Sequence, residues 1–264
     1  MVEYVQDVDY SSVNLDVNRR VVKNRSGYIH AGTRYDSKTI KVTGKIKVSS
    51  LQEYHQFKDK LNGILVDADP YFITPLIQDN ENLYDFELPG ESKGDVNKQG
   101  SNFSIGYRFK VVCENGLETN FLGKYNNGLL FSFSIDFITA ELPFGETIPK
   151  LFDISSKSFL YGGTAINSQL EYPWQLKLTS NQNQTGKFTI NLDGRVYEYN
   201  SDVQIVPGDV FLVGAIETLK NGVNVSDYTN YEYFELKPMW GDMNSLQTEF
   251  KGKIEILNYV EFFK

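Results

Sequence analysis

The residues best suited to nucleophilic or acid–base catalysis are few in this chain. Two histidines, His30 and His55, and one cysteine, Cys113, are spread through 264 residues. A Ser-His-Asp relay needs a nucleophile, a base and an orienting acid that converge in space, and neither histidine has a flanking signature such as G-x-S-x-G. Cys113 lies in an apolar strand pattern, which favours a buried, inert thiol over a nucleophile. The sequence therefore predicts a protein that is not an enzyme.

Metal and cofactor sites are not predicted either. Zinc requires three or four His or Cys ligands, and the three such residues of this chain lie far apart in the sequence. The acidic stretches 67–69 and 79–81 are rich in oxygen ligands, but neither has the spacing of an EF-hand loop, so solvated loop acids are the favoured interpretation. No glycine-rich phosphate loop occurs. A pair of glycosidase carboxylates cannot be located from sequence on a β fold.

The two tryptophans, Trp174 and Trp240, are candidates for contact with a sugar or a partner protein. An exposed aromatic ring stacks well on a sugar face, whereas tryptophan in a small sandwich more often fills the core. Trp174 enters a predicted strand after Tyr172-Pro173, which favours the core or a protein interface over a sugar. Trp240 lies in a predicted turn, where both interpretations stay open.

Charge and hydropathy exclude some classes of partner. The net charge is −8, and the two halves of the chain carry equal shares of it. We expect the only local excess of basic residues to be the run Lys38, Lys41, Lys45 and Lys47. This run fits a solvated strand face better than a phosphate-binding surface. We expect no specific binding of nucleic acid. The longest near-apolar run, 210–216, is too short to span a membrane.

The first residues lack a basic region followed by an apolar stretch, so we expect no secretory signal and synthesis in a cytoplasm. A single cysteine allows no disulfide within the chain.

One helix interrupts an otherwise β-type pattern. Apolar residues recur at spacings of three and four over 50–66, which predicts a helix with one buried stripe: Leu51, Tyr54, Phe57, Leu61, Ile64 and Leu65. Ser50 and Glu53 have the form of a capping box. Residues 38–48 and 131–137 alternate between apolar and polar and predict half-buried antiparallel strands. The polar, glycine-rich segment 89–102 predicts a loop.

Two prolines and a glycine within 143–149 indicate a boundary between two domains, 1–146 and 150–264. Short strands then follow at close spacing, which indicates a sandwich or jelly roll. The turn Asp193-Gly194 should set Phe188 opposite Tyr199 and Ile190 opposite Tyr197. The predicted strands are 174–178, 187–192, 195–199, 202–206, 210–219, 223–228, 231–237, 246–251 and 253–263.

The order of these pieces resembles the distal tail protein (Dit) family of long-tailed phages of Gram-positive bacteria. The likeness covers nearly the full length and is one of order and pattern, not of a catalytic signature. It rests on three stretches: the strand, helix and extended segment of 44–73; the strand 130–137 ahead of Pro143-Phe144-Gly145; and the C-terminal run from Val206-Pro207-Gly208 to the strand 253–259.

The resemblance implies a mostly β protein, with an N-terminal β domain containing one α-helix and a C-terminal galectin-like jelly-roll sandwich. It implies a structural hub of the tail tip, located in the virion, whose N-terminal domain forms a hexameric ring. The implied partners are other copies of the chain, the major tail tube protein, the tail-associated lysin and the receptor-binding or baseplate proteins. Nucleic acid would only pass through the ring, and no membrane is involved.

The chain departs from a minimal family member in one segment and lacks one feature of some members. Segment 83–130 is longer than a minimal member requires, which predicts an extra hairpin. The large insertion that gives some members carbohydrate-binding modules is missing. The alternative function, a lectin-like protein that recognises host cell-wall polysaccharide, rests on the galectin-like shape, and a glycan-cleaving enzyme comes third.

Overall fold

The computed structural model describes residues 2–78, 102–125, 127–239 and 241–264. The chain forms two compact units: unit 1 is Met1–Gly145 with Lys264, and unit 2 is Glu146–Phe263. The described residues are mostly in β-strands and contain one α-helix, which confirms the predicted fold class.

In residues 2–139 the elements follow in chain order. They are β1 (Val2–Tyr10), β2 (Leu15–Arg20), β3 (Ile29–Tyr35), β4 (Thr39–Val48), α1 (Leu51–Leu65), β5 (Tyr71–Ile73), β6 (Leu76–Gln78), β7 (Asn102–Ser104), β8 (Phe109–Tyr125) and β9 (Gly128–Thr139). Five of these strands form an antiparallel sheet in the order β1-β4-β9-β8-β5. The strands β2 and β3 form a separate two-stranded sheet, and so do β6 and β7.

The centre of this sheet follows from the alternation of apolar residues in β4 and β9. The register sets Ile40 opposite Phe137 and Ile46 opposite Phe131, so that both pairs share one face of the sheet. All four side chains are buried. Both strands were predicted, and the structure extends the second one at both ends.

Helix α1 covers part of this apolar face. The hydroxyl of Ser50 accepts a hydrogen bond from the backbone N–H of Glu53 at 3.2 Å, as the capping box predicts. The return bond differs, because the Glu53 carboxylate accepts from the backbone N–H and the hydroxyl of Ser49 instead of from Ser50. These bonds lower the pKa of Glu53. Phe57 is buried, and Tyr54 stacks on Phe131 with ring centroids 4.1 Å apart.

The buried stripe of α1 is narrower than predicted, because one predicted residue in the first turn and one in the last turn are exposed. Leu51 and Ile64 are exposed, at 61% and 60%. At about 100° per residue these two side chains lie on opposite margins of the stripe, one in the first turn and one in the last. The sheet therefore contacts the middle of the stripe, which carries Tyr54, Phe57 and Leu61.

Lys38 corrects the expectation of a fully solvated run of lysines. Its side chain is buried, with Nζ 5.2 Å from the centre of the Phe109 ring. The aliphatic stem of lysine tolerates such packing, and burial lowers the pKa of the amine. Lys41 is exposed, as expected.

The segment 79–101 and residue 126 lie outside the described residues. The predicted loop 89–102 falls there except for Asn102, the first residue of β7, and so does much of the segment 83–130 in which an extra hairpin was predicted. Within the described part, β8 and β9 form a long antiparallel hairpin, and β6 pairs with β7 on either side of the gap.

Residues 145–263 contain the remaining strands and a short 3₁₀-helix, η1. They are β10 (Gly145–Glu146), β11 (Lys150–Asp153), β12 (Ser158–Phe159), β13 (Asn167–Ser168), β14 (Gln175–Ser180), β15 (Lys187–Leu192), β16 (Arg195–Asn200), β17 (Val210–Val213), β18 (Thr218–Lys220), β19 (Val223–Asn224), η1 (Ser226–Tyr228), β20 (Glu235–Leu236), β21 (Asn244–Thr248), β22 (Gly252–Tyr259) and β23 (Phe262–Phe263).

Unit 2 contains a sandwich, as predicted. One antiparallel sheet has the order β11-β22-β14-β17-β18-β19, and the other has the order β12-β21-β15-β16. Buried side chains of both sheets form one cluster, which includes Leu176 and Ile256 from the first and Ile190 and Leu246 from the second. The galectin-like character of this sandwich stays a prediction.

The turn Asp193-Gly194 fixes the register of β15 and β16. Both residues have positive φ, 49° and 91°, as a two-residue hairpin turn requires. Phe188 lies opposite Tyr199 and Ile190 opposite Tyr197, which confirms both predicted pairs.

Several predicted C-terminal strands are shorter or broken. The run 210–219 is two strands joined by a turn, in which the N–H of Gly214 donates to the carbonyl of Glu217 and Ile216 is 89% exposed. Segment 202–206 is no strand, although Ile205 makes an isolated bridge with Gln184. Segment 223–228 ends in η1, and only Glu235–Leu236 of segment 231–237 is a strand. Apolar composition alone does not show where such a run turns.

Gly252 lies where the backbone of β22 closely approaches that of β14. A Cβ atom at this position would clash with the carbonyl oxygen of Thr179. We expect Gly252→Ala to lower the free energy of unfolding by about 1–3 kcal/mol, because the backbone of a paired strand must shift. Denaturant unfolding followed by tryptophan fluorescence measures this.

Gly214→Ala is the matched control, since the nearest atom to its Cβ would lie at an ordinary 3.4 Å. Equal unfolding midpoints for the two variants would contradict the packing described.

Candidate functional site

The hairpin of β2 and β3 is almost fully exposed. Its strands pair from Leu15 opposite Tyr35 to Arg20 opposite Ile29. All side chains of β3 are exposed, and in β2 only Val17 is half-buried. Neither apolar cluster of unit 1 contains a residue of this hairpin. A two-stranded hairpin alone is marginally stable in water, so this one gains from a partner surface.

The exposed residues of the hairpin are apolar to an unusual degree. Val21 is 80% exposed, and the others range from 39% to 55%: Leu15, Val22, Tyr28, Ile29 and Tyr35. Single apolar residues on a surface need no explanation, but several on one small element indicate an interaction site.

The same hairpin is strongly basic. Segment 15–35 contains five basic residues against one acid, Asp16, in a chain of net charge −8: Arg19, Arg20, Lys23, Arg25 and Arg34. The expectation that the lysines 38–47 are the only basic excess is therefore wrong. Four of the five basic residues fall within 19–25, a signal that was present in the sequence.

The charges of the hairpin are only partly neutralised. Arg34 pairs with Asp16 at 2.8 Å and with Asp36 at 3.2 Å. Among the described residues, neither Arg20 nor Arg25 makes an ion pair. Arginine mixed with tyrosine and aliphatic side chains is typical of protein interfaces. We call segment 15–35 the basic hairpin.

Trp174 is not available to a sugar or to a partner. It is 1% exposed and belongs to the core cluster of unit 2. Its indole N–H donates to the carbonyl of Asn167 at 3.3 Å, which satisfies the polar atom of the buried ring. A sugar platform needs an open ring face, which Trp174 does not have. Trp240 lies outside the described residues.

A shallow polar hollow on unit 2 offers no aromatic platform. Amide, hydroxyl and charged side chains surround it: Asn183, Gln184, Thr185, Lys187, Ser201, Asp202 and Gln204, with Gly186. The amide of Gln184 already serves the fold, because its Nε2 donates to the carbonyl of Lys251 and its Oε1 accepts from the N–H of Lys251. The hollow therefore gives no specific support to sugar binding.

The histidines and the cysteine are not brought together in a catalytic arrangement. His30 is exposed on β3 with Nε2 2.6 Å from the hydroxyl of Thr33, and His55 is exposed on α1. Cys113 is half-buried, less than predicted, and its Sγ donates to the carbonyl of Asn115. Burial, and after it the negative charge of Asp136, raises the pKa of the Cys113 thiol.

Across residues 2–78, 102–125, 127–239 and 241–264, no three His, Cys, Asp or Glu side chains are grouped to hold a metal ion. Within the same ranges, no helix has the length and apolar character to cross a membrane.

Comparison with known proteins agrees with the pattern seen in the sequence. Residues 5–107 match the family model of the phage tail protein RIFT-related domain. None of the curated proteins matches the chain in sequence.

Among solved structures, the chain is similar to the Dit protein (gp 19.1) of phage SPP1, described as a paradigm of the hub adsorption apparatus in Gram-positive infecting phages. The TM-score is 0.64 over 99% of this chain and 94% of that chain, at 10% identity. At this identity the likeness establishes the fold. Together with the family match, it confirms the resemblance to the Dit family.

Two structures of the phage P2 baseplate in its activated conformation are also similar. The one with Ca is 14% identical, with a TM-score of 0.31, and the one with Sr is 13% identical, with a TM-score of 0.32. Each match covers 97% of this chain and 89% of that chain. Scores this low add nothing to the argument.

The core position of Trp174 predicts a large cost for truncation. We expect Trp174→Ala to lower the free energy of unfolding by about 3–5 kcal/mol, because it leaves a cavity in the core. Trp174→Phe keeps most of the packing and loses the bond to Asn167, so it should cost less. Thermal unfolding of both variants by circular dichroism checks the order. Full stability of Trp174→Ala would mean that the ring is not in the core.

The raised pKa of Cys113 predicts a slow thiol. At pH 8 a thiol-specific disulfide reagent should react with it more slowly than with an unstructured cysteine peptide, because the thiolate fraction is smaller. Asp136→Asn should speed the reaction, since removing the negative charge lowers the pKa. Unfolding the protein in denaturant should abolish the difference. A folded protein that reacts at the peptide rate would contradict the shift.

Proposed function

Because this chain carries a phage tail protein domain and has the fold of the distal tail protein (Dit) family, we propose that it is a structural hub of a phage tail tip. In this proposal six copies form a ring that connects the tail tube to the tail-associated lysin and the receptor-binding apparatus. Its place is the virion, after synthesis in the host cytoplasm. The support for the hexamer and for these partners is the family resemblance.

The observation that carries the proposal is the basic hairpin. It exposes apolar and arginine side chains on an element outside the apolar clusters of unit 1, so its sequence is best explained by a protein surface that covers it. A contact between two different surfaces of one chain, repeated about a rotation axis, closes into a ring.

We assign ring formation to residues 1–146 and the contacts with other tail-tip proteins to residues 150–264. The first segment contains the basic hairpin and a sheet with free edges. The second has two sheets whose side chains form one buried cluster, so its sandwich needs no further copy to bury its apolar faces.

The proposed hub has no catalytic, cofactor or metal site. The exposed histidines and the raised pKa of the Cys113 thiol support a role without chemistry. The lectin alternative depends on Trp240, since Trp174 is buried and the polar hollow of unit 2 has no aromatic side chain. None of the described residues favours it specifically.

Electron microscopy of the full-length purified protein tests the hub. We expect rings with a central hole and, by native mass spectrometry, a species of six chains. A monomer at all accessible concentrations, or an open filament, would contradict the proposal.

A further inference from the structure

Four Asn-Gly pairs occur in the chain, and this dipeptide is chemically labile. The backbone nitrogen of the glycine can attack the side-chain carbonyl carbon of the asparagine, because the two groups belong to neighbouring residues and the glycine has no Cβ to hinder the approach. The pairs are Asn62-Gly63, Asn115-Gly116, Asn127-Gly128 and Asn221-Gly222. The rate at each pair depends on whether the fold lets the two groups meet.

The reaction changes the charge and the length of the backbone. A C–N bond forms between the glycine nitrogen and Cγ of the asparagine, and the side-chain amide leaves as ammonia together with the proton of the glycine N–H. The product is a five-membered succinimide. Water opens this ring at one of its two carbonyl carbons, which gives aspartate or isoaspartate. Either product carries one more negative charge than asparagine.

The fold holds Asn221 away from this reaction. Its Oδ1 accepts a hydrogen bond from the backbone N–H of Val210, and its Nδ2 donates to Oδ1 of Asp209, both at 2.8 Å. Both bonds must break before Cγ can turn towards the nitrogen of Gly222. Two such bonds slow the attack by on the order of tenfold or more.

Two other pairs are restrained through the backbone of the glycine. Asn62-Gly63 lies inside α1, so a helical turn has to open before the ring can close. Gly128 is buried, and a Cβ atom on it would lie 2.7 Å from Cε of Lys47 and 3.0 Å from the carbonyl oxygen of Val48. This close packing leaves little room for the side chain of Asn127 to move over the backbone.

Asn115-Gly116 lies in an irregular part of β8. Both residues are exposed. The register against β9 shifts on either side of Asn115, once after Cys113 and once before Glu118, and such shifts interrupt the regular ladder of hydrogen bonds. On the other side of β8, the described strand β5 reaches only Phe109–Val111. The backbone here is therefore less restrained than at the other three pairs.

The side chain of Asn115 is also weakly held. Its Nδ2 lies 3.5 Å from Oδ2 of Asp136, which is beyond the usual range of a hydrogen bond. A Cβ atom on Gly116 would have no atom within 4 Å, so the space around this glycine is open. The amide of Asn115 can therefore turn towards the nitrogen of Gly116 without breaking a strong contact.

We propose that Asn115 is a site of spontaneous deamidation, which converts through a succinimide to aspartate and isoaspartate ahead of the other Asn-Gly pairs. In the proposed virion the chain is not renewed after assembly, so the change accumulates with age. The chemistry itself does not depend on that proposal, because it needs only the folded chain and water.

The new carboxylate would face an existing one. Asn115 lies opposite Asp136 in the register, and Oδ1 of Asp136 is already buried without a hydrogen-bond partner among the described residues. Like charges directly opposite each other destabilise a pair of strands. Isoaspartate also adds a methylene group to the backbone of β8. Deamidation at this position therefore weakens the sheet of unit 1.

Incubation of the folded full-length protein at mildly alkaline pH tests the site. Peptide mass spectrometry measures the converted fraction of each asparagine over time, and methylation by an isoaspartate methyltransferase measures the second product. We expect Asn115 to convert faster than Asn221 by on the order of tenfold, because only Asn221 must first break two hydrogen bonds. In denaturant the two rates should become equal, since each asparagine is then simply followed by glycine.

Gly116→Ala is the matched control. Its φ lies outside the left-handed region and its Cβ would meet open space, so the fold accepts alanine there. The added methyl group hinders the attacking nitrogen. This variant should convert severalfold more slowly at Asn115, convert as the wild type does at Asn221, and keep the melting temperature of the wild type.

Asn115→Asp mimics one product and should melt at a lower temperature than the wild type by circular dichroism. Equal rates at Asn115 and Asn221 in the folded protein overturn the proposal, as does faster conversion at Asn62 or Asn127. An Asn115 that stays intact while the denatured protein converts also overturns it. An Asn115→Asp variant as stable as the wild type overturns the predicted weakening of the sheet. The structural hub is left in place by all of these results.

Discussion

The sheet of unit 1 depends on one apolar face, built by the alternating side chains of β4 and β9. The face is stable because Ile40, Ile46, Phe131 and Phe137 meet in register and α1 covers part of them. Among the described elements, β1, β8 and β5 extend the same sheet, whereas β2 and β3 form a separate sheet. The basic hairpin is outside, so its exposed apolar side chains cannot be explained as part of the core.

Local patterns fix local structure well in this chain. Alternation locates β4 and β9, spacing of three and four locates α1, and the turn Asp193-Gly194 sets the register of β15 against β16. Each of these signals is complete within a few neighbouring residues. The prediction of one strand over 210–219 is wrong, because composition does not distinguish a continuous apolar strand from two strands joined by a turn.

Burial of single side chains is harder to predict, since it depends on elements far away in the sequence. Lys38 is buried beside Phe109, and Trp174 donates to the carbonyl of Asn167 within a cluster drawn from two sheets. The basic hairpin presents the opposite difficulty. Its run of basic residues is visible in the sequence, but its valines and its one isoleucine, Ile29, are ordinary strand-forming residue types until the structure shows that they lie outside the apolar clusters.

The position of the basic hairpin separates the folding of the sheet from the proposed recognition between copies. It is inserted between β1 and β4, which pair directly with each other, and it belongs to a separate two-stranded sheet, so exposed residues of the hairpin can change without altering the contacts of the larger sheet. In the proposed ring, recognition between copies could then diverge quickly while the core stays the same. Two related phages in one cell could each build tails from their own protein without mixing subunits, even with nearly identical folds.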